Sequence, residues 1–364
     1  MTDDLDDESG ETAEAESAAP LPRENPDLIG QGRAEAALLD CYRAGRLPHA
    51  WLLTGPRGIG KATLAFRFAR FLLAQSGEGQ GLFGAPPTSL AIDPAHPAFR
   101  RVASGGHADL LLIERAYDQK RKRRRSEILV DDVRQIAHFL HLTPAEGGWR
   151  IVIVDGADEM NRNAANALLK VLEEPSRRAL LLITSASSGR LLPTIRSRCR
   201  LLSLDPLAPE QVTDLLRKYQ PTLTVDEVTG LVALAEGSIG RALDLAAAGG
   251  LELYREMMAL LTALPALDGG AVDRLADRLG RAGAEDSFRL MAELLPSRIA
   301  RMIRHAGGNA PDPDLARLAA RRPLDRWVEV WEKLSRLFAL VDVVNLDRKQ
   351  AMLNAFFALE EASR

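Results

Sequence analysis

The sequence predicts an α/β domain built on a parallel sheet with helices on both faces, followed by a region that is helical throughout. Three observations carry this. Between about Leu28 and Leu204, five short apolar runs (AWLLTG, ADLLLIE, RIVIVDG, ALLLITS and CRLLSL) alternate with amphipathic stretches. Continuous apolar strands separated by helices are the pattern of strands buried on both faces. After Asp205 strand-like runs almost vanish, and helical spacing with Gly or Pro stops takes over.

A chain of 364 residues exceeds what one core usually holds, so two or three domains are expected. Its 46% hydrophobic and 27% charged residues are those of an ordinary globular protein. It has no apolar run of bilayer-spanning length, and its N-terminus is acidic rather than a basic-plus-apolar export signal, so a cytoplasmic location without membrane contact is expected. Cys41 and Cys199 are the only cysteines, too few for a disulfide framework or a four-cysteine zinc site. The net charge of −3 hides an asymmetry: residues 2–24 carry nine acidic residues against one Arg, which leaves a mildly basic body. Residues 1–26 are expected to be a disordered acidic tail.

The first strand, Trp51 to Leu53, runs into LLTGPRGIGKATLAF (52–66) and an apolar helix from Ala62 to Leu73. A phosphate-binding loop needs Gly, four residues, Gly-Lys and a hydroxyl. Gly55, Gly60 and Lys61 satisfy it, and Gly58 adds a further glycine whose backbone can approach phosphate. The residue after the lysine is Ala62, whose methyl cannot ligate the magnesium ion that bridges the outer phosphates. Thr63 is one position late, about 100° around the helix. On the residues alone, the loop is either a nucleotide site or a ligand-free turn.

The next candidate elements are a segment of mixed composition at 75–110, a basic run, KRKRRR (Lys120, Arg121, Lys122, Arg123, Arg124, Arg125), and a helix from near Ser126. Six adjacent cations repel one another, so a solvated insertion loop is expected; the functional alternative is contact with DNA phosphates, without aromatic residues for base stacking. RIVIVDGADEMN then ends a buried strand in Asp155, where a nucleotide hydrolase places a carboxylate near magnesium. The glutamate that would follow and polarise water is replaced by Gly156. Asp158 and Glu159 lie further on and are expected to have surface roles. Both Gly55 and Asp155 fall at strand C-termini, where open α/β sheets bind ligands.

The stretch NRNAANALLKVLEEPS (161–176), followed by LLLITSASSGRLLPTIRSRCRLL, resembles the AAA+ clamp-loader family, and LIGQGRAEAALLDCYRAGRLPHAWLLTGP (28–56) fits its N-terminal portion. The resemblance covers most of residues 28–204. It implies an AAA+ P-loop domain over 27–205, a small helical lid over 206–250 and an all-α collar or oligomerisation domain over 251–364. The family's motor subunits keep the hydroxyl after the lysine, an Asp-Glu pair, and an arginine in a lid stretch Gly-Ser-x-Arg; this chain has Ala62, Gly156 and Gly240 there. The resemblance therefore implies a non-hydrolysing subunit in DNA replication. It would be an accessory of the DNA polymerase III holoenzyme that helps load a sliding clamp onto primed DNA, in a hetero-oligomer with gamma/tau ATPase subunits and a delta subunit.

Within that family the arginine of Ser-Arg-Cys, here Arg198, projects into a neighbour's ATP site as a finger supplied in trans. Gly55, Gly58, Gly60, Lys61, Thr63, Asp155 and Thr184 are the positions of a degenerate nucleotide site; whether ATP or ADP occupies it stays open, and no cofactor is required. Many relatives insert a four-cysteine zinc module after the first helix, but residues 75–110 contain no cysteine, so no zinc or other metal is expected. His96 and His107 are read as solvated loop residues. NLDRKQAMLNAFFAL (345–359) resembles the last collar helices of the family's non-motor subunits. Trp327, Trp331, Leu334 and Phe338 recur at helical spacing and read as core or bundle interface. Two alternatives remain: an active motor that uses Thr63 for the metal and Asp158 or Glu159 for water, and a DNA-binding adaptor acting through residues 120–125.

Overall fold

The computed structural model describes residues 19–75, 87–118, 123–146, 148–305, 313–344 and 346–364. The chain divides into two compact units, residues up to Arg241 and Ala242–Arg364.

The first unit runs α1 (Gly32–Arg43), β1 (Ala50–Thr54), α2 (Lys61–Ala74), α3 (Pro97–Ala103), β2 (Leu110–Ile113), β3 (Tyr117–Asp118), β4 (Arg123–Arg124), α4 (Val130–His141), β5 (Arg150–Val154), α5 (Arg162–Glu173), β6 (Ala179–Ser185), α6 (Pro193–Arg196), β7 (Arg200–Ser203), α7 (Pro209–Tyr219) and α8 (Val225–Ala235). All five apolar runs are strands of one sheet, ordered β2-β5-β6-β1-β7, and every pairing in it is parallel. Alternation explains why these runs are apolar throughout. Trp51, Leu53, Ile151, Ile153, Leu180 and Leu182 pack on one face with α1 and α2. Leu52, Val152, Val154, Leu181 and Ile183 pack on the other with α4 and α5. Strands buried on both faces have no polar side to show. The chain leaves interior strand β1 for edge strand β2 and returns through β5 and β6, so the loop after β1 lies beside the end of β6, with β5 next along.

Three expectations need correction here. The acidic tail, placed over 1–26, lies outside the described residues up to position 18; residues 19–26 are ordered and strapped to α2. Arg70 of α2, buried and without a carboxylate among its described hydrogen-bond partners, donates to the carbonyls of Arg23 (3.1 Å) and Asn25 (2.7 Å). Its guanidinium stacks on Phe99 of α3, 4.4 Å from the ring centre. Burial pulls its pKa down to about 10. His107 is buried, with Nδ1 accepting from the Asp109 amide (3.2 Å), and its pKa is lowered by burial. His96 is also structural: its Nδ1 accepts from the Ala98 amide (3.1 Å) and caps α3. The third correction concerns the basic run. Its residues Arg123 and Arg124 form a short antiparallel strand in which Tyr117 faces Arg124 and Asp118 faces Arg123.

The helices expected for the lid are α7, α8 and α9 (Ile239–Ala247). The division between the units falls inside α9, so α7 and α8 go with the sheet instead of forming a third unit. Thr224 opens α8 with a reciprocal cap: its Oγ1 accepts from the Glu227 amide while the Glu227 carboxylate accepts from the Thr224 amide.

The second unit continues with α10 (Gly250–Ala263), α11 (Gly269–Gly280), α12 (Glu285–His305), α13 (Pro313–Ala319), α14 (Leu324–Val344) and α15 (Arg348–Ser363). Its core includes Met257, Met291, Leu295, Ile299, Trp327, Leu334, Met352 and Phe356. The C-terminal helical region from Leu324 onward is two helices, α14 and α15. Asp347 caps the second, its carboxylate accepting from the Gln350 amide (2.7 Å). Trp327 and Leu334 are core as expected, and Phe338 packs edge-on against Phe288. Trp331 is not core, being 37% exposed.

Candidate functional site

The glycine loop joins β1 to α2, and Lys61 is the first residue of α2. The Lys61 side chain is buried, and its Nζ donates to the carbonyls of Gly55 (2.8 Å) and Pro56 (2.6 Å), bracing the loop from within. Burial lowers its pKa, an effect opposed by Asp155 and Asp158 and assisted by Arg57. Asp155 follows β5, and Thr184 lies near the end of β6 between it and the loop. Thr184 Oγ1 donates to Asp155 Oδ1 (2.6 Å) and accepts from the Gly156 amide (2.9 Å). Thr184 and Asp155 are thus joined directly, while Lys61 opens α2 after β1, the strand beside β6. Thr63 takes part in none of these described contacts.

The residues on offer do not fit a magnesium–nucleotide complex of the hydrolytic kind. Ala62 supplies no ligand at the position where a hydroxyl is needed, and one oxygen of Asp155 is already engaged by Thr184. Among the described residues there is no group of three or more His, Cys, Asp or Glu side chains that could hold a metal ion.

The two acidic residues beyond Gly156 part company, and neither has the plain surface role expected. Asp158 caps the chain after β6, its two oxygens accepting from the amides of Ala186 (3.0 Å) and Ser187 (3.2 Å). Glu159 turns back. Its Oε2 lies 2.8 Å from where a Cβ on Gly156 would sit, and it pairs with Arg115 Nε at 2.8 Å. Burial raises the Glu159 pKa, with Arg115 and Arg57 acting against that rise.

The lid stretch Gly-Ser-x-Gly meets the loop directly. Gly240 N–H donates to the Gly58 carbonyl (3.0 Å), and Ser238 Oγ donates to the Arg57 carbonyl (2.7 Å) while accepting from the Arg241 amide (3.1 Å). A Cβ at position 240 would fall 2.7 Å from Gly58 Cα, so the side chain that the motors carry there has no room in this arrangement.

Arg198 sits in the turn after α6. Its Nη2 pairs with Glu173 (2.9 Å), its Nη1 donates to the Thr194 carbonyl (3.1 Å), and its side chain is 36% exposed. Neighbouring Cys199 has its thiol pushed up to about 11 by burial, which keeps it protonated. Of the basic run, Lys120, Arg121 and Lys122 lie outside the described residues. Arg124 pairs with Glu114 (2.9 Å) and donates to the Arg115 carbonyl (3.1 Å), and Arg125 is exposed. Sequence reasoning missed Arg115, which lies two residues past β2 and gives no local signal of its partner.

A parallel sheet of this strand order, with a glycine loop after an interior strand and an acidic strand two places away, defines a P-loop protein of the AAA+ class. A family model described as DNA polymerase III, delta subunit, matches residues 30–208. The chain is 37% identical over 190 residues to the DNA polymerase III subunit delta' of Pseudomonas aeruginosa, covering 52% of this chain and 53% of that one. It is 28% identical over 225 residues to the DNA polymerase III subunit gamma of Buchnera aphidicola, covering 60% and 56%. The chain thus spans little more than half the length of these relatives. A solved gamma subunit-related protein from Thermotoga maritima is similar at 19% identity and a TM-score of 0.40, over 90% of this chain and all of that one. Among the described residues, no helix is long and apolar enough to cross a membrane.

Proposed function

We propose that this chain is a delta-prime-type subunit of a DNA polymerase III clamp loader: a part that does not itself hydrolyse ATP but completes the ATP site of a neighbouring subunit through Arg198. The observation that carries the reading is the contrast between the two sites. The chain's own loop keeps its backbone cradle and Lys61 but has Ala62 and Gly156 where turnover needs a metal ligand and a water-polarising carboxylate. Arg198 keeps a partly exposed guanidinium whose described partners are the Glu173 carboxylate and the Thr194 carbonyl of α6. Such pairing is cheap to exchange, because exposed ion pairs contribute little. An arginine presented to a neighbour's triphosphate stabilises the charge developing on the transferred phosphoryl group, an effect worth roughly 10³ to 10⁵ in rate.

On this reading the partners are gamma/tau ATPase subunits, a delta subunit, the sliding clamp and, through the assembly, primed DNA. The motor alternative loses support from Asp158, whose oxygens are spent on the amides of Ala186 and Ser187. The adaptor alternative rests on a basic run of which Arg124 is already paired with Glu114.

The test is ATP turnover by the reconstituted assembly on primed DNA with wild-type chain or Arg198→Ala. A fall of at least about a hundredfold at one site, with the assembly intact by gel filtration, is expected for a lost charge-stabilising group. Unchanged turnover would remove the finger from the account.

A further inference from the structure

Two charged segments have no part in the reading above, and their charges are opposite. Residues 2–18 carry eight acidic residues and no Lys or Arg, while residues 117–125, YDQKRKRRR, carry six basic residues against Asp118 alone. The strands β3 and β4 belong to the second segment, and their base is tied to the chain after β2 and β5. The Arg125 amide donates to the Ala116 carbonyl (2.9 Å). Arg124 pairs with Glu114 (2.9 Å) and donates to the Arg115 carbonyl (3.1 Å), and Arg115 pairs with Glu159 (2.8 Å). Tyr117, across from Arg124, is 50% exposed, and Arg125 is exposed with no ion pair among the described residues. Glu114 thus answers one cation of the run, and the others repel one another until a further anion arrives.

The chain that follows the acidic segment is fixed beside the approach to β2. Arg70 holds the carbonyls of Arg23 and Asn25, and Arg23 Nη1 lies 3.7 Å from where a Cβ on Gly105 would sit. From Gly105 to Tyr117 the chain runs twelve residues, no more than about 43 Å. The cluster Asp3, Asp4, Asp6, Asp7 and Glu8 precedes Arg23 by 15–20 residues, about 50–70 Å of extended chain. Reach therefore does not limit an encounter, and the tether sets an effective concentration on the order of 1 mM. The hydrogen-bonded base of the hairpin needs no rearrangement to receive the carboxylates, which lowers the cost of docking.

We propose that the acidic segment 2–16 docks on the β3–β4 hairpin of its own chain, its carboxylates meeting Arg124, Arg125 and the rest of the basic run, and so shields the hairpin from other polyanions. Leu5, with two aspartates on each side, supplies an apolar group for the exposed Tyr117 ring. The tethered segment is favoured over a nucleic acid because it is always present at the effective concentration just given, and because a single exposed tyrosine offers a stacking place for only one base. A competing polyanion then binds the hairpin only by displacing the segment. This inference does not depend on the role of Arg198. The two readings fail separately, one in turnover of the assembly and the other in the isolated chain.

The experiment compares the full-length chain with one lacking residues 1–18 and with the full-length variant Asp3→Asn/Asp4→Asn/Asp6→Asn/Asp7→Asn/Glu8→Gln. In the dilute full-length chain, a carbodiimide should join tail carboxylates to Lys120 or Lys122 as amides within one molecule, mapped by mass spectrometry. Fluorescence anisotropy then measures binding of labelled inorganic polyphosphate and, separately, of a single-stranded oligonucleotide. A docking constant of about 0.1 mM at an effective concentration of about 1 mM covers the hairpin about ten to one, so removing the tail or its charges should raise polyphosphate affinity about tenfold. The gain should shrink in about 0.5 M salt. It should vanish when the truncated chain also carries Arg124→Ser/Arg125→Ser, and fall in part with Arg125→Ser alone, which leaves the Arg124–Glu114 pair in place. Urea denaturation establishes that each variant is folded. Cross-links found only between copies or only elsewhere, polyphosphate affinity equal with and without the tail, or a gain that survives loss of both arginines would each overturn the proposal. So would an oligonucleotide that binds the full-length chain as tightly as the truncated one, since the hairpin would then be open to nucleic acid and not held by the tail.

Discussion

The contact between Gly58 and Gly240 can be broken by a single methyl group. In Gly240→Ala the new Cβ would start 2.7 Å from Gly58 Cα, whereas ordinary contact begins near 3.4 Å, so lid stretch and loop must separate by about 0.7 Å. That separation stretches the hydrogen bond from Gly240 N–H to the Gly58 carbonyl and the neighbouring one from Ser238 Oγ to the Arg57 carbonyl. Two such bonds contribute about 2 kcal/mol together, and residual overpacking adds about 1 kcal/mol or more. Against this, alanine is better than glycine in a helix by about 1 kcal/mol, and Gly240 lies in the first turn of α9. The net cost is about 2 kcal/mol, roughly a thirtyfold change in an opening equilibrium.

The loss should be local, because neither glycine belongs to the sheet. Native-state hydrogen exchange on the isolated chain should therefore show faster exchange at Gly240 and Arg241, with the amides of β5 and β6 unchanged. Gly58→Ala should do at least as much, since Gly58 also has φ +75°, where a side chain is strained. Unaltered exchange at Gly240 and Arg241 in Gly240→Ala would refute the reasoning, as would a stabilised chain, which would mean that helix propensity outweighs the contact.

Two further outcomes are expected. Arg70→Lys loses the fork that reaches both the Arg23 and Asn25 carbonyls and the stack on Phe99, while keeping a buried charge. The cost should be about 2–3 kcal/mol by urea denaturation, with residues 19–26 becoming protease-sensitive. Glu159 has its folded-state pKa raised, so the stability it contributes is fully present below the ordinary glutamate value and is lost as pH rises through the raised one. The melting temperature of wild type relative to Glu159→Gln should therefore fall as pH increases from about 4, and a difference independent of pH would remove the buried-carboxylate argument.

The sheet was legible because its strands have no solvent face. RIVIV of β5 places Ile151 and Ile153 on one side and Val152 and Val154 on the other, so burial on both sides is written as an unbroken apolar run. The hairpin β3–β4 was not legible: each of its strands is two residues long, one holds Arg123 and Arg124, and neither has a hydrophobic period to read. The break between α14 and α15 is faint in the sequence for a related reason. Apolar spacing continues across it, and the local stop is only the cap supplied by Asp347.

The site divides along the same line between local and distant causes. Lys61, Asp155 and Thr184 each stand at a strand end or loop that a motif announces, and the strand order sets β1, β6 and β5 side by side. The fate of the missing groups is settled by contacts remote in sequence. Gly156 gives up a side chain, and Arg115, from the turn after β2, draws Glu159 back over the gap. Gly240 gives up another, and its backbone then bonds to Gly58. A reader of the sequence sees two glycines in place of a glutamate and an arginine and infers loss. The structure shows each vacated position used again, one for an internal ion pair and one for a backbone contact. Restoring Glu at 156 or Arg at 240 would consequently meet an occupied space before it could restore any chemistry.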